Sequence, residues 1–133
     1  MRIIHSGLVL AVVALLLPSC GGSGQNPAAS APAELKSLAV ELAPASPLPA
    51  GAQARVRIVA ISTPDQRFIH DSTLPVPQDN VLQVRYDASR ADQAQDYNID
   101  VTIVENGKRV AGNATDALAL TKGRGDRVRV VLK

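Results

Sequence analysis

Few side chains in this 133-residue chain are of types that do chemistry, and their spacing does not favour it. Cys20 is the only thiol; it closes an apolar run and is followed at once by Gly21-Gly22. His70 stands in Ile69-His70-Asp71-Ser72, where the three residue types of a nucleophilic triad are adjacent. Neighbours on an extended strand point to opposite faces, and a triad is made by geometry and not by adjacency. The reading here is an ordinary edge or loop histidine. A His/Cys metal site fails on ligand count, because one cysteine and one histidine remain beyond the N-terminal leader. Asp87, Asp92 and Asp96 gather near one loop but lack the Asp-x-Asp-x-Asp-Gly spacing of a dedicated Ca²⁺ site. Lys122-Gly123-Arg124-Gly125-Asp126 holds an Arg-Gly-Asp between two strand patterns, where its glycines serve a turn. It also lacks the spacing of a phosphate loop. No catalytic residue, metal or cofactor is expected.

Cys20 is the exception. The stretch Leu15-Leu16-Leu17-Pro18-Ser19-Cys20 resembles the lipobox of bacterial lipoproteins, with Leu three places before the cysteine and a small residue just before it. Pro18 departs from the small residue usual at its position. The resemblance implies a diacylglyceryl group on the Cys20 sulfur, cleavage before Cys20 and acylation of the freed amine. Residues 1–19 read as the signal peptide, with Arg2 in the n-region and ten uncharged apolar residues over 8–17. Ten is too short for a bilayer, which needs about 20, and fits an h-region. Each buried CH₂ is worth about 0.8 kcal/mol, so two or three acyl chains hold a protein on a membrane without a spanning helix. Gly21 is not the Asp that retains lipoproteins at the inner membrane, so the outer membrane, facing the periplasm, is expected. In that setting Asn113-Ala114-Thr115, which matches a glycosylation acceptor, has no meaning as one.

The domains read as 1–19 signal peptide, 20–34 lipidated cysteine and tether, and 35–133 folded domain. Residues 21–33 are rich in Gly, Ser, Ala, Pro and Asn and carry no charge. They have too few large apolar groups to repay ordering, and as a random coil they reach roughly 20 Å. The remaining length allows one domain with a modest core. With Arg2 removed, 13 Lys/Arg oppose 12 Asp/Glu, which is no nucleic-acid footprint. Phe68, Tyr86 and Tyr97 are the only aromatics, too few for base stacking. No disulfide is available, so burial and β-ladders must supply the stability.

From Leu35 the apolar period is two, the pattern of strands with one buried face. Leu38, Val40 and Leu42 alternate with Ser37, Ala39 and Glu41; Val56, Ile58 and Ala60 with Arg55, Arg57 and Val59; Leu82, Val84 and Tyr86 with Gln83 and Arg85. Tyr97, Ile99, Val101 and Ile103 share one face and lead to Asn106-Gly107, a strong type I′ turn signal because both residues tolerate positive φ. Residues 117–121 suggest a short strand, and Val128, Val130 and Leu132 close the chain. Residues 67–76, bounded by Pro75 and Pro77, read as a short strand or poorly paired edge, and the loop before Tyr97 has room for one helical turn. The fold class is all-β: an antiparallel sandwich of seven or eight short strands, immunoglobulin- or transthyretin-like.

The chain resembles YbaY-type lipoproteins, which share a domain with the YscW-type pilotins of type III secretion. The residues that carry this are Leu48-Pro49-Ala50-Gly51-Ala52 before Arg55-Val56-Arg57-Ile58, Pro77 before Val84-Arg85-Tyr86-Asp87, and Tyr97-Asn98-Ile99-Asp100-Val101-Thr102-Ile103 with Asn106-Gly107. They span roughly residues 35–132. The resemblance implies a β-sandwich and a periplasmic lipoprotein, and it implies no catalytic site. The functional expectation is a non-enzymatic, membrane-anchored module for protein binding or assembly in the envelope. The alternatives are a pilotin-like chaperone that escorts a secretin to the outer membrane, and a hydrolase. For partner binding the expected surface is the 67–76 edge, with Phe68, Ile69 and Leu74 as apolar anchors and Arg55 and Arg57 attracting acidic residues. Arg55, Arg57, Arg85, Arg127 and Arg129 share the polar parity of their strands. That pattern serves solubility or forms a basic face for an acidic segment or anionic headgroups.

Overall fold

The structure, a computed structural model, describes residues 33–61, 67–92, 94–120 and 124–133. The residues of period two fold as eight strands: β1 (Leu35–Pro44), β2 (Gln53–Ala60), β3 (Phe68–Pro75), β4 (Val81–Asp87), β5 (Tyr97–Glu105), β6 (Lys108–Gly112), β7 (Leu118–Ala119) and β8 (Arg127–Leu132). A 3₁₀ turn, Ala88–Arg90, follows β4, with the Asp87 carboxylate accepting from the Ser89 amide as its N-cap. Among the described residues no helix is long and apolar enough to cross a membrane. The Asn106-Gly107 turn takes the conformation its residues favour, with φ of 50° and 75°.

The strands form two sheets. One has the order β4-β1-β8; the other runs β3-β2-β5-β6, with β7 also on β5. All pairings are antiparallel except β1–β8, which is parallel, from Ala39 opposite Arg127 to Pro44 opposite Leu132. That one pairing departs from the purely antiparallel expectation. Inward-facing Leu38, Val40, Val84 and Val130 meet Val56, Ile58, Ile99, Val101 and Ile103 from the opposite sheet. Each buried side chain of this kind contributes about 1.5–3 kcal/mol. Tyr97 reaches across the interior, and its hydroxyl accepts from the Asp92 amide at 2.7 Å, which satisfies the one polar atom it buries.

Along one side the two sheets are joined. Gly112 and Lys133 exchange backbone bonds of 3.0 and 2.9 Å, Ala114 donates to Val131 at 2.7 Å, and Asn113 bridges Leu132. The Asn113 side chain extends this seam into the larger sheet. Its Oδ1 accepts from the Val101 amide, and its Nδ2 donates to the Ile99 carbonyl, both at 2.7 Å. It thereby supplies ladder bonds to β5 between the end of β6 and the start of β7. Along the other side β3 and β4 are the outer strands.

Candidate functional site

One register irregularity decides what β3 presents. On β2, Ile58 pairs with His70 while the next residue, Val59, pairs with Phe68. Ile69 is therefore an extra residue, a β-bulge, and the bulge changes the facing of the strand. Phe68 turns outward and is 42% exposed, whereas Ile69 goes into the core at 2%. Leu74 is half-buried against the same core. Of the three apolar residues expected to form the anchors, Phe68 is thus exposed, Ile69 is buried in the core and Leu74 is half-buried.

Phe68 forms one wall of a cleft of about 290 Å³ on the outer face of the larger sheet. Val59, Ala60 and Ile61 supply its other apolar lining, and Arg57, Asn98, Asp100 and Asp116 its polar lining. Ile61 stands 51% exposed just past the end of β2. The Arg57 guanidinium ion-pairs with Asp100 and lies 5.5 Å from the centre of the Phe68 ring, a cation–π contact. The Asn98 side chain accepts from the Ala117 amide at 2.8 Å and so fixes the loop that carries Asp116. Asp116 is exposed and has no ion-pair partner among the described residues.

Beside the cleft, Arg55 grips Asp71 with two bonds of 2.9 and 2.6 Å. That bidentate grip, more than the nearby charges of Arg57 and His70, holds the Asp71 carboxyl below the usual range. Arg55 and Arg57 are thus ion-paired, with Asp71 of β3 and Asp100 of β5. The cleft is acidic on balance, with Asp100 and Asp116 against Arg57.

The other chemistry-bearing residues do not assemble. His70 Nε2 and Ser72 Oγ lie 2.7 Å apart, but Asp71 points to the opposite face toward Arg55. Burial lowers the His70 pKa, and the Asp71 charge opposes that only in part. Asp87 is held by Ser89 and the Glu34 amide, and Asp92 accepts from Ala94 and Gln95. Among the described residues no three metal-ligating side chains converge. Two further clefts lie at the loop end. One of about 230 Å³ is lined by Pro47, Leu48, Val110 and Leu132; the other, of about 400 Å³, lies between the 47–51 and 76–80 turns. Cys20 and the tether, and Lys122-Gly123 of the Arg-Gly-Asp loop, lie outside the described residues.

The sequence reading missed Ile61 and Asp116. Ile61 continues the outward parity of Arg57 and Val59, so the change from charged to apolar along one face was a usable signal. Asp116 carried none, because only the fold brings its loop beside β5.

Residues 37–132 match the model of the type III secretion system lipoprotein chaperones (YscW). The chain belongs to this family. Among solved structures it is similar to an alternative pilotin from the type II secretion system of Vibrio cholerae, with a TM-score of 0.62 and 15% identity. That match covers 75% of this chain and 98% of the pilotin. At this identity the likeness speaks for the fold alone. Among curated proteins none matches. The YscW match runs from within β1 through β8 and includes the Phe68 cleft and Asn113.

Proposed function

We propose that this chain is a pilotin-like chaperone of the bacterial envelope, without catalytic activity, which binds a segment of a secretin. The observation that carries the reading is membership of the lipoprotein-chaperone family over residues 37–132. A sandwich whose outer face carries a cleft with both apolar and acidic lining supports it. Lipid on Cys20 anchors the chain to the outer membrane, residues 20–34 are the tether, and 35–133 form the binding domain facing the periplasm. Within the family, the resemblance of the blocks around Leu48-Pro49 and Tyr97-Asn98 supports a YbaY-type lipoprotein. The broader reading, an envelope module for protein assembly, contains this narrower one.

The cleft sets the chemistry of the segment. Phe68, Val59 and Ile61 take an apolar side chain, and Asp116 pairs with a cation, so the segment carries apolar and basic residues and not acidic ones. The test is co-expression of the full chain with a secretin from the same genome, followed by membrane fractionation. Secretin multimers should reach the outer membrane only with the chain present. Exchanging Phe68 and Ile61 for Ser should abolish delivery, whereas Arg124→Ala with Asp126→Ala should not. Equal delivery without the chain would sink the reading.

A further inference from the structure

The two sheets treat their outward arginines differently. On the larger sheet the two arginines of β2 are matched, Arg55 by Asp71 and Arg57 by Asp100, while Arg109 of β6 is exposed without an ion-pair partner among the described residues. On the smaller sheet Arg85, Arg127 and Arg129 face outward from the two strands that flank β1. Arg127 reaches Glu41 at 3.2 Å, while Arg85 and Arg129 have no ion-pair partner among the described residues. The outward positions of β1 between them are Ser37, Ala39, Glu41 and Ala43, so the middle of the face is low and flat. None of these residues lines any of the three clefts described above. The remaining outward carboxylate, Asp87, sits at the end of β4 and is turned to Ser89 and the Glu34 amide.

We infer that this face of the smaller sheet rests on an anionic lipid surface and orients the domain with the Phe68 cleft turned away from the membrane. The inference depends on anchoring through Cys20. A tether over 21–33 with a random-coil reach of roughly 20 Å would keep the domain closer to the bilayer than its own diameter of about 30 Å, so that one face lies near the headgroups. A flat basic surface without a groove suits a plane of phosphates better than a single peptide. Each unmatched cation near such a surface is worth about fivefold. The face-down orientation is then favoured roughly thirty-fold if Asp87 stays clear of the headgroups, and roughly fivefold if it does not. The cleft lies on the opposite sheet, so this orientation leaves it open to the periplasm.

The test uses the full lipoprotein reconstituted into vesicles of phosphatidylcholine alone or mixed equally with phosphatidylglycerol. A fluorophore is placed at Val131→Cys, on the basic face, or at Thr73→Cys, on the opposite sheet, and quenched by headgroup nitroxides. Quenching is expected at position 131 and not at 73, only in anionic vesicles, and weaker at raised salt, because screening shortens the field. Arg85→Gln with Arg127→Gln and Arg129→Gln should lower it at least fivefold. The salt arm decides the matter if that variant does not fold. Equal quenching at both positions, or quenching indifferent to lipid charge, overturns the inference. So does a polyglutamate peptide that shields position 131 when anionic vesicles do not, since the face then belongs to an acidic protein segment. Thiol labelling of the unmodified chain reads the anchor separately. A chain that takes label has a free Cys20, which overturns anchoring and not the charge preference of the face.

Discussion

Replacing Asn113 by Ala should destabilise the domain far more than a half-buried surface residue usually does. The side chain satisfies the Val101 amide and the Ile99 carbonyl, both at 2.7 Å, in a strand whose Ile99 and Val101 side chains are fully buried. Truncation leaves one donor and one acceptor without partners, at about 1–3 kcal/mol each, so the loss is about 2–6 kcal/mol. Total stability is about 5–15 kcal/mol, and for a domain of this size each kcal/mol moves the melting temperature by about 4–8 °C. A fall of about 10 °C or more is expected. Asn113→Asp keeps the acceptor for Val101 but sets a carboxylate against the Ile99 carbonyl, so it should not rescue. Thermal unfolding with amide exchange is the assay, and exchange at Val101 should accelerate first. A melting temperature within about 2 °C of the parent, equivalent to less than about 0.5 kcal/mol, would mean that water replaces the amide and that the seam is not what holds the sheets.

Three further outcomes are expected. Ile69→Ala should cost about 2–5 kcal/mol as a core truncation, while Phe68→Ala, at an outward position, should cost much less and affect partner capture instead; equal losses on denaturant titration would refute the bulge. Burial depresses His70 below its ordinary 6.5, so the native state favours the neutral ring. Stability from this group is present above 6.5 and declines as pH falls from there through the lower folded-state pKa, and melting curves between pH 7 and 5 should flatten in His70→Gln. Cys20→Ala should abolish incorporation of labelled fatty acid, and label that persists would rule out the proposed anchor.

Strand positions and facing were largely legible, because alternation reports burial directly. Leu38-Val40-Leu42, Tyr97-Ile99-Val101-Ile103 and Val128-Val130-Leu132 all point inward as their parity required. Pairing was not legible, since period two does not say which strand lies alongside, and the parallel β1–β8 contact follows from the whole topology. The bulge escaped because Phe68-Ile69-His70 has no alternation to reveal a change of facing. For the same reason the matching of Arg55 to Asp71 and Arg57 to Asp100 could not be foreseen: it needs register, and register was unknown. The role of Asn113 was hidden in a side chain that acts as backbone.

The parallel pairing of β1 with β8 also sets the order in which the molecule can be completed. β1 is the central strand of its sheet, yet one of its two partners is the last strand of the chain. A polypeptide emerging from a ribosome or an export channel can pair β1 with β4 early, but Ala39 to Pro44 must wait until Arg127 to Leu132 have appeared. Until then the middle of the domain carries an unclosed strand edge, and a chain cut short before residue 127 keeps it permanently. Contacts this distant in sequence close slowly, on about the millisecond-to-second scale of other β-rich topologies. Premature termination should therefore yield a sticky, protease-sensitive product, and complete synthesis a quiet one.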